Sequence, residues 1–182
     1  MLSLEENPII AAVHTKEDFE EAVKSELNVI FMMNANILTL QEYTQAAHKN
    51  NKKLFVHADM TEGIAKDTYG IGYIAKMGAD GIISTRGNII KMAKEWKLKT
   101  VQRFFIIDFH SMNTAIDSIK SQKPDMIEVM PGVVPKVISY FSENTKLPII
   151  TGGLIETKQE VIEALKAGAT AISTSNTRLW YD

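Results

Sequence analysis

Eight short runs rich in Ile, Val and Phe recur along this chain, each parted from the next by an amphipathic stretch. No other feature narrows the possible folds so far. The runs fall at residues 9–13, 29–33, 53–57, 81–84, 100–107, 126–129, 149–151 and 171–173. They do not alternate cleanly between apolar and polar residues. Strands buried on both faces read this way, and burial on both faces marks a parallel sheet covered by helices. Between them the spacing predicts helices over 16–26, 40–49, 89–96, 112–120, 136–142 and 158–167. Thr15, Thr39, Asn88, Ser111 and Thr157 serve as caps, Pro135 stands in a first turn, and Gly168 is a natural stop. Eight strands with seven intervening helices favour a closed parallel barrel over an open doubly wound sheet. The chain is short for a barrel, since about 250 residues is typical, so an open flavodoxin-like sheet is the alternative.

One internal echo supports closure. The segment from Lys76 to Thr85 (KMGADGIIST) resembles that from Lys166 to Ser175 (KAGATAISTS). The two lead into strands four and eight, which face each other across an eight-stranded barrel. With 182 residues, 45% of them apolar, the chain makes one domain, 1–182, with a sizeable core. It has no cysteine, which removes disulfides and thiolate chemistry and suits a reducing cytoplasm. The first eight residues are acidic and read as no secretory signal, and no apolar run approaches the ~20 residues that span a bilayer.

Net charge is −2, so no general positive field draws nucleic acid. The charge is uneven, however. Residues 86–103 carry Arg86, Lys91, Lys94, Lys97, Lys99 and Arg103 against Glu95 alone. The lysines of this helix lie opposite its apolar stripe of Ile89, Met92, Ala93 and Trp96, where a polyanion could contact them.

The chemistry concentrates at strand ends. Thr151-Gly152-Gly153 follows strand seven and Ser173-Thr174-Ser175 ends strand eight. Loops in these two places of a (β/α)8 barrel often hold phosphate. Paired glycines let backbone N–H groups approach an oxyanion, and hydroxyls add donors. Asp59, Glu62, Asp108 and Glu128 stand at other strand ends, able to accept from sugar or polyol hydroxyls, to act as acid and base, or simply to cap helices and pair with Arg103. Lys136, after the turn Met130-Pro131-Gly132-Val133-Val134-Pro135, is a cation within reach of a phosphate or of solvent. His14, His57 and His110 have no diagnostic metal spacing, so no metal is expected.

These segments together resemble the glycerol uptake operon antiterminator proteins. The likeness rests on Asp80–Thr85, Gln102–Asp108, Ile127–Lys136, Gly152–Ile155 and Ala171–Ser175, in order over nearly the whole chain, and ends at Leu179-Trp180. It implies a compact TIM-type barrel that senses glycerol 3-phosphate and acts on the leader mRNA of glycerol-utilisation genes, without catalytic residues or cofactor. Gly152, Gly153, Ser173, Thr174 and Ser175 would hold phosphate, with Asp59, Arg103 and Glu128 shaping the polyol end of the pocket. The RNA surface expected from charge is Arg86, Lys91, Lys94, Lys97 and Lys99, repeated if the protein is a homodimer. Where the family pattern has Gly-Asp after strand two, this chain has Ala35-Asn36. The rival class is a phosphate-barrel enzyme such as an isomerase, synthase or phosphodiesterase.

Overall fold

In a computed structural model that describes residues 7–181, the eight runs close into one parallel barrel in chain order. The acidic opening falls largely outside the described residues. Strands β1 (Ile9–Val13), β2 (Val29–Met32), β3 (Lys53–His57), β4 (Gly81–Ser84), β5 (Lys99–Phe105), β6 (Met126–Met130), β7 (Ile149–Gly152) and β8 (Ala171–Thr174) each pair with the next. The pairing of β1 with β8, with Ile10 beside Ser173, removes the open sheet. The expected runs sit within one or two residues of these bounds, β5 starting and ending earlier than the sequence suggests.

Helices α1 (Lys16–Lys24), α2 (Leu40–Lys49), α3 (Thr68–Lys76), α4 (Gly87–Glu95), α5 (Phe109–Gln122), α6 (Pro135–Asn144) and α7 (Lys158–Lys166) wrap the outside. Thr15 and Thr157 form capping boxes with Asp18 and Glu160. Thr39 precedes α2 without a side-chain capping bond, and two other expected caps are displaced. Arg86, not Asn88, precedes α4, and Asp108 caps α5 with Ser111 returning the bond from the third helical position. At Ala35-Asn36 the chain makes its own local turn: Asn36 Oδ1 accepts from the N–H groups of Leu38 and Thr39, which starts α2.

Alternation along each strand sorts side chains into three apolar groups. Inside the barrel lie Ile10, Phe31, Phe55, Ile83, Val101, Met126, Ile150 and Ala171. One outer cluster joins β1–β4 to their helices, and a second joins β5–β8 to α5–α7. A final 3-10 turn, Thr177–Trp180, buries Trp180 and donates its indole N–H to Thr174 O. No helix among the described residues is long and apolar enough to cross a membrane.

Candidate functional site

Stepping two residues along a strand keeps a side chain on the same face. Above the apolar inner ring of Phe55, Val101, Met126 and Ala171, that step brings His57, Arg103, Glu128 and Ser173 into the C-terminal half of the barrel. Arg103 Nε donates to Glu128 Oε2 at 2.6 Å, and the Ser173 hydroxyl donates to Glu128 Oε1 at 2.5 Å. Glu128 is fully buried, with both carboxylate oxygens engaged. Arg103 is 6% exposed, and a terminal guanidinium nitrogen lies 3.7 Å from Met33 Sδ. His57 is buried as well. Burial first, and the Arg103 cation second, push its imidazole down to about 4, so it stays neutral near pH 7. Its Nδ1 has no hydrogen-bond partner among the described residues.

Over this floor opens a cavity of about 390 Å3, bounded by His14, Met33, Arg103, Met130, residues 153–156 and residues 173–176. That volume lies at the small end of the roughly 300–1,000 Å3 of ligand pockets. Two glycines shape one wall. A Cβ on Gly152 would lie 2.2 Å from Ser173 Oγ and 2.8 Å from Ser173 O, so β7 can pass β8 there only without a side chain. Gly153 has φ +77°, and Leu154 follows at φ 63°, which turns the chain sharply before α7. Asn176 Nδ2 donates to Glu156 O at 3.0 Å and ties the β8 loop to the β7 loop.

The sequence echo turns out to be structural. At β8, Thr174 Oγ1 accepts from Asn176 N at 3.1 Å; at β4, Ser84 Oγ accepts from Arg86 N at 3.0 Å. The two turns are built alike, but their next donors differ. At β4, the Ser84 hydroxyl, the Thr85 N–H and the Thr85 hydroxyl all donate to the Asp59 carboxylate, at 2.6, 2.8 and 2.8 Å. Burial opposes ionisation of Asp59, yet these bonds outweigh it and hold the carboxyl below its ordinary value. At β8, Ser175 stands where Thr85 stands. Its N–H and hydroxyl have no protein acceptor among the described residues, and it lines the cavity.

The structure thus brings Gly153, Ser173, Thr174, Ser175 and Arg103 around one cavity, with Gly152 and Glu128 packed behind them. It places Asp59 elsewhere, clasping the β4–α4 turn. Lys136 sits over the Phe109 ring, 5.2 Å from its centroid, and borders a different groove. The Glu62 backbone pairs with that of Ala35 and Ile37, and the Asp108 carboxylate accepts from Ser111 N at the start of α5. Arg86, Lys91, Lys94, Lys97 and Lys99 are all exposed, strung from the C-terminal end of β4, along α4, to the first residue of β5. Lys94 donates to Lys123 O, and Lys99 lies 3.5 Å from Asp125. Sequence reasoning did not place Met33, His14 or Asn176 at the site. Only His14, directly after β1, and Asn176, two residues past β8, carried a signal, as polar residues near strand ends. Among the described residues no three His, Asp or Glu side chains converge as a metal site would require.

A model of the family described as glycerol-3-phosphate responsive antiterminator matches residues 9–180. An uncharacterised Escherichia coli (strain K12) protein, YgcP, is 33% identical over 97% of this chain and 93% of its own. The crystal structure of a glycerol uptake operon antiterminator regulatory protein from Listeria monocytogenes superposes with a TM-score of 0.93 at 36% identity, covering 98% of this chain and 97% of that one. An antiterminator-related protein from Thermotoga maritima gives 0.85 at 33%, covering 94% and 96%. Solved aldolases at 9–15% identity share the fold alone. Matched along nearly its whole length by the family model, the chain belongs to the glycerol-3-phosphate responsive antiterminator family.

Proposed function

We propose that this protein is a cytoplasmic antiterminator that binds glycerol 3-phosphate in the cavity at the β7 and β8 ends and then engages leader mRNA. The observation that carries the ligand reading is the pair of equivalent strand ends. At β4 an anion, the Asp59 carboxylate, takes the turn's N–H and hydroxyl donors. At β8 the Thr174 hydroxyl donates to Ile155 O, while the N–H and hydroxyl of Ser175 face a cavity, where a phosphate satisfies them as the carboxylate satisfies those of Thr85. Arg103 supplies the cation at the floor and reaches the ligand's oxygens; Glu128 acts through Arg103 and Ser173, since its own oxygens are engaged.

The role proposed is binding without turnover. Of the acids singled out at strand ends, Asp59, Asp108 and Glu128 are held by the protein's own donors and are poorly placed to exchange protons with a substrate. For RNA, the exposed α4 face with Arg86 remains the surface that charge favours, and Lys91 and Lys97 are its freest members.

A thermal-shift titration tests the ligand. At 100 times its Kd, glycerol 3-phosphate adds about 2.7 kcal/mol, which raises the melting temperature by roughly 5–10 °C for a domain of this size. Glycerol or inorganic phosphate alone gives much less, and no shift at millimolar glycerol 3-phosphate refutes the site. The recovered ligand should be chemically unchanged. For RNA, the triple change Lys91→Gln, Lys94→Gln, Lys97→Gln lowers the salt slope of leader binding by about two units. Ligand affinity stays as it was. Normal RNA binding by that variant moves the surface elsewhere.

A further inference from the structure

Among the polar side chains at the top of the barrel, Arg103, Glu128 and Ser173 bond one another, and His57 stands apart. Its ring is 4% exposed, and its Nδ1, shut away from water, has no hydrogen-bond partner among the described residues. Leaving a buried polar atom unpaired is costly, and an apolar side chain of similar shape would remove that cost. A histidine there is explained by a partner that arrives from outside the protein.

The surroundings open onto the ligand cavity. Strand register sets Met33 beside His57, since Met32 pairs with Val56, and Met33 lines the cavity. Arg103, close enough for its charge to act on the imidazole, lines the cavity too. The far end of its guanidinium rests on Met33 Sδ, a weak acceptor, so it is free to turn towards a ligand and clear the way to His57. The facing strands leave room. Gly152 on β7 stands across the barrel from His57, and Ala12 on β1 stands across from Arg103.

Charge decides which part of a ligand suits this place. A neutral imidazole is a poor counter-ion for phosphate, but it pairs well with a hydroxyl, which can both donate and accept. The phosphate then belongs at the other end, on the Ser175 donors. We propose that His57 is the specificity-determining residue of the cavity: its ring hydrogen-bonds a hydroxyl of the bound three-carbon phosphate and so selects polyol phosphates over alkyl phosphates. This role holds only if the cavity is the glycerol 3-phosphate site proposed above.

Calorimetric titration of the full chain tests both, with glycerol 3-phosphate, 2-hydroxypropyl phosphate, 3-hydroxypropyl phosphate and propyl phosphate as ligands. Glycerol 3-phosphate should bind at least ~10-fold more tightly than propyl phosphate and than one of the two singly hydroxylated analogues. In His57→Leu its affinity should fall to the propyl phosphate level, while propyl phosphate itself stays within about twofold. That variant should melt no lower than the wild type, because the unpaired nitrogen is gone. His57→Asn, whose amide stands near the place of Nδ1, should keep part of the preference. A His57→Leu protein that still prefers glycerol 3-phosphate, or that loses both ligands equally, overturns the role of His57, as does a His57→Asn protein with no preference left. A wild type that binds all four phosphates alike overturns that role and leaves the phosphate site standing. A wild type that binds none of them overturns the site, and the role with it.

Discussion

The ends of β4 and β8 are entered by similar sequences and close with the same hydroxyl-to-N–H turn, yet one is filled and the other open. The difference lies in the strand before each. After β3 the chain brings in Asp59, whose carboxylate consumes the donors of Ser84 and Thr85. After β7 it brings in Gly153 and Leu154, both in the left-handed region, and the acid that follows, Glu156, borders the cavity without accepting from Ser175. Free hydroxyl and N–H donors at a strand end can receive an oxyanion. In the function proposed above, the end of β8 takes a ligand because no protein anion occupies the Ser175 donors. The stabilising charge at the open end has moved one layer down, to the Arg103–Glu128–Ser173 chain inside the barrel.

This contrast can be broken in three places. The largest effect is expected from Glu128→Ala, which leaves Arg103 buried without its counter-ion. Losing one partner of a buried pair costs about 3–5 kcal/mol, and urea unfolding should show it together with a fall in ligand affinity. A variant destabilised by less than ~1 kcal/mol would mean the floor is not under electrostatic load.

Asp59→Ala comes next. It orphans three donors at β4 and should cost about 2–3 kcal/mol, with glycerol 3-phosphate affinity little changed. Acetate or phosphate should raise the melting temperature of this variant more than that of the wild type, by entering the vacated receptor. Equal effects on both proteins would dissolve the analogy between the two ends.

The smallest effect sharpens the comparison most. Ser175→Ala should weaken ligand binding roughly 3- to 10-fold, one hydrogen bond's worth, and shift stability by less than ~0.5 kcal/mol. Thr85→Ala, its counterpart, should do the reverse. If both changes alter stability alone, Ser175 does not touch the ligand.

One familiar substitution is a poor probe. Gly152→Val looks like a way to crowd out phosphate, but the added Cβ would strike Ser173 Oγ and its carbonyl before reaching any ligand. Loss of binding in that variant reports damage to the barrel wall. The paired glycines were legible in the sequence, but the reason for the first of them was not. It is needed for strand packing, and only the second adopts the positive φ that glycine tolerates best.

The sequence by itself determined the eight strands and their helical covering, while closure into a barrel came with the pairing of β1 and β8. Eight doubly buried runs, their helical spacers and caps such as Thr15 and Thr157 are local patterns, set by side-chain period and backbone hydrogen bonding over a few residues. It left α3 without bounds, because Gly70 and Gly72 weaken the helical signal; Gly72 is there so that Trp96 can pack against the helix. The glycine and hydroxyl motifs after β7 and β8, and the family resemblance, were legible for the same local reason. Partnership was decided only by the tertiary structure. Asp59, Lys136 and Glu128 read alike as charged residues near strand ends, but one closes a turn, one lies on a separate apolar face and one holds Arg103 in the floor. Which of them face each other depends on barrel closure and strand register, and these bring together residues 25 to 45 positions apart along the chain. No pattern within a single strand carries that information.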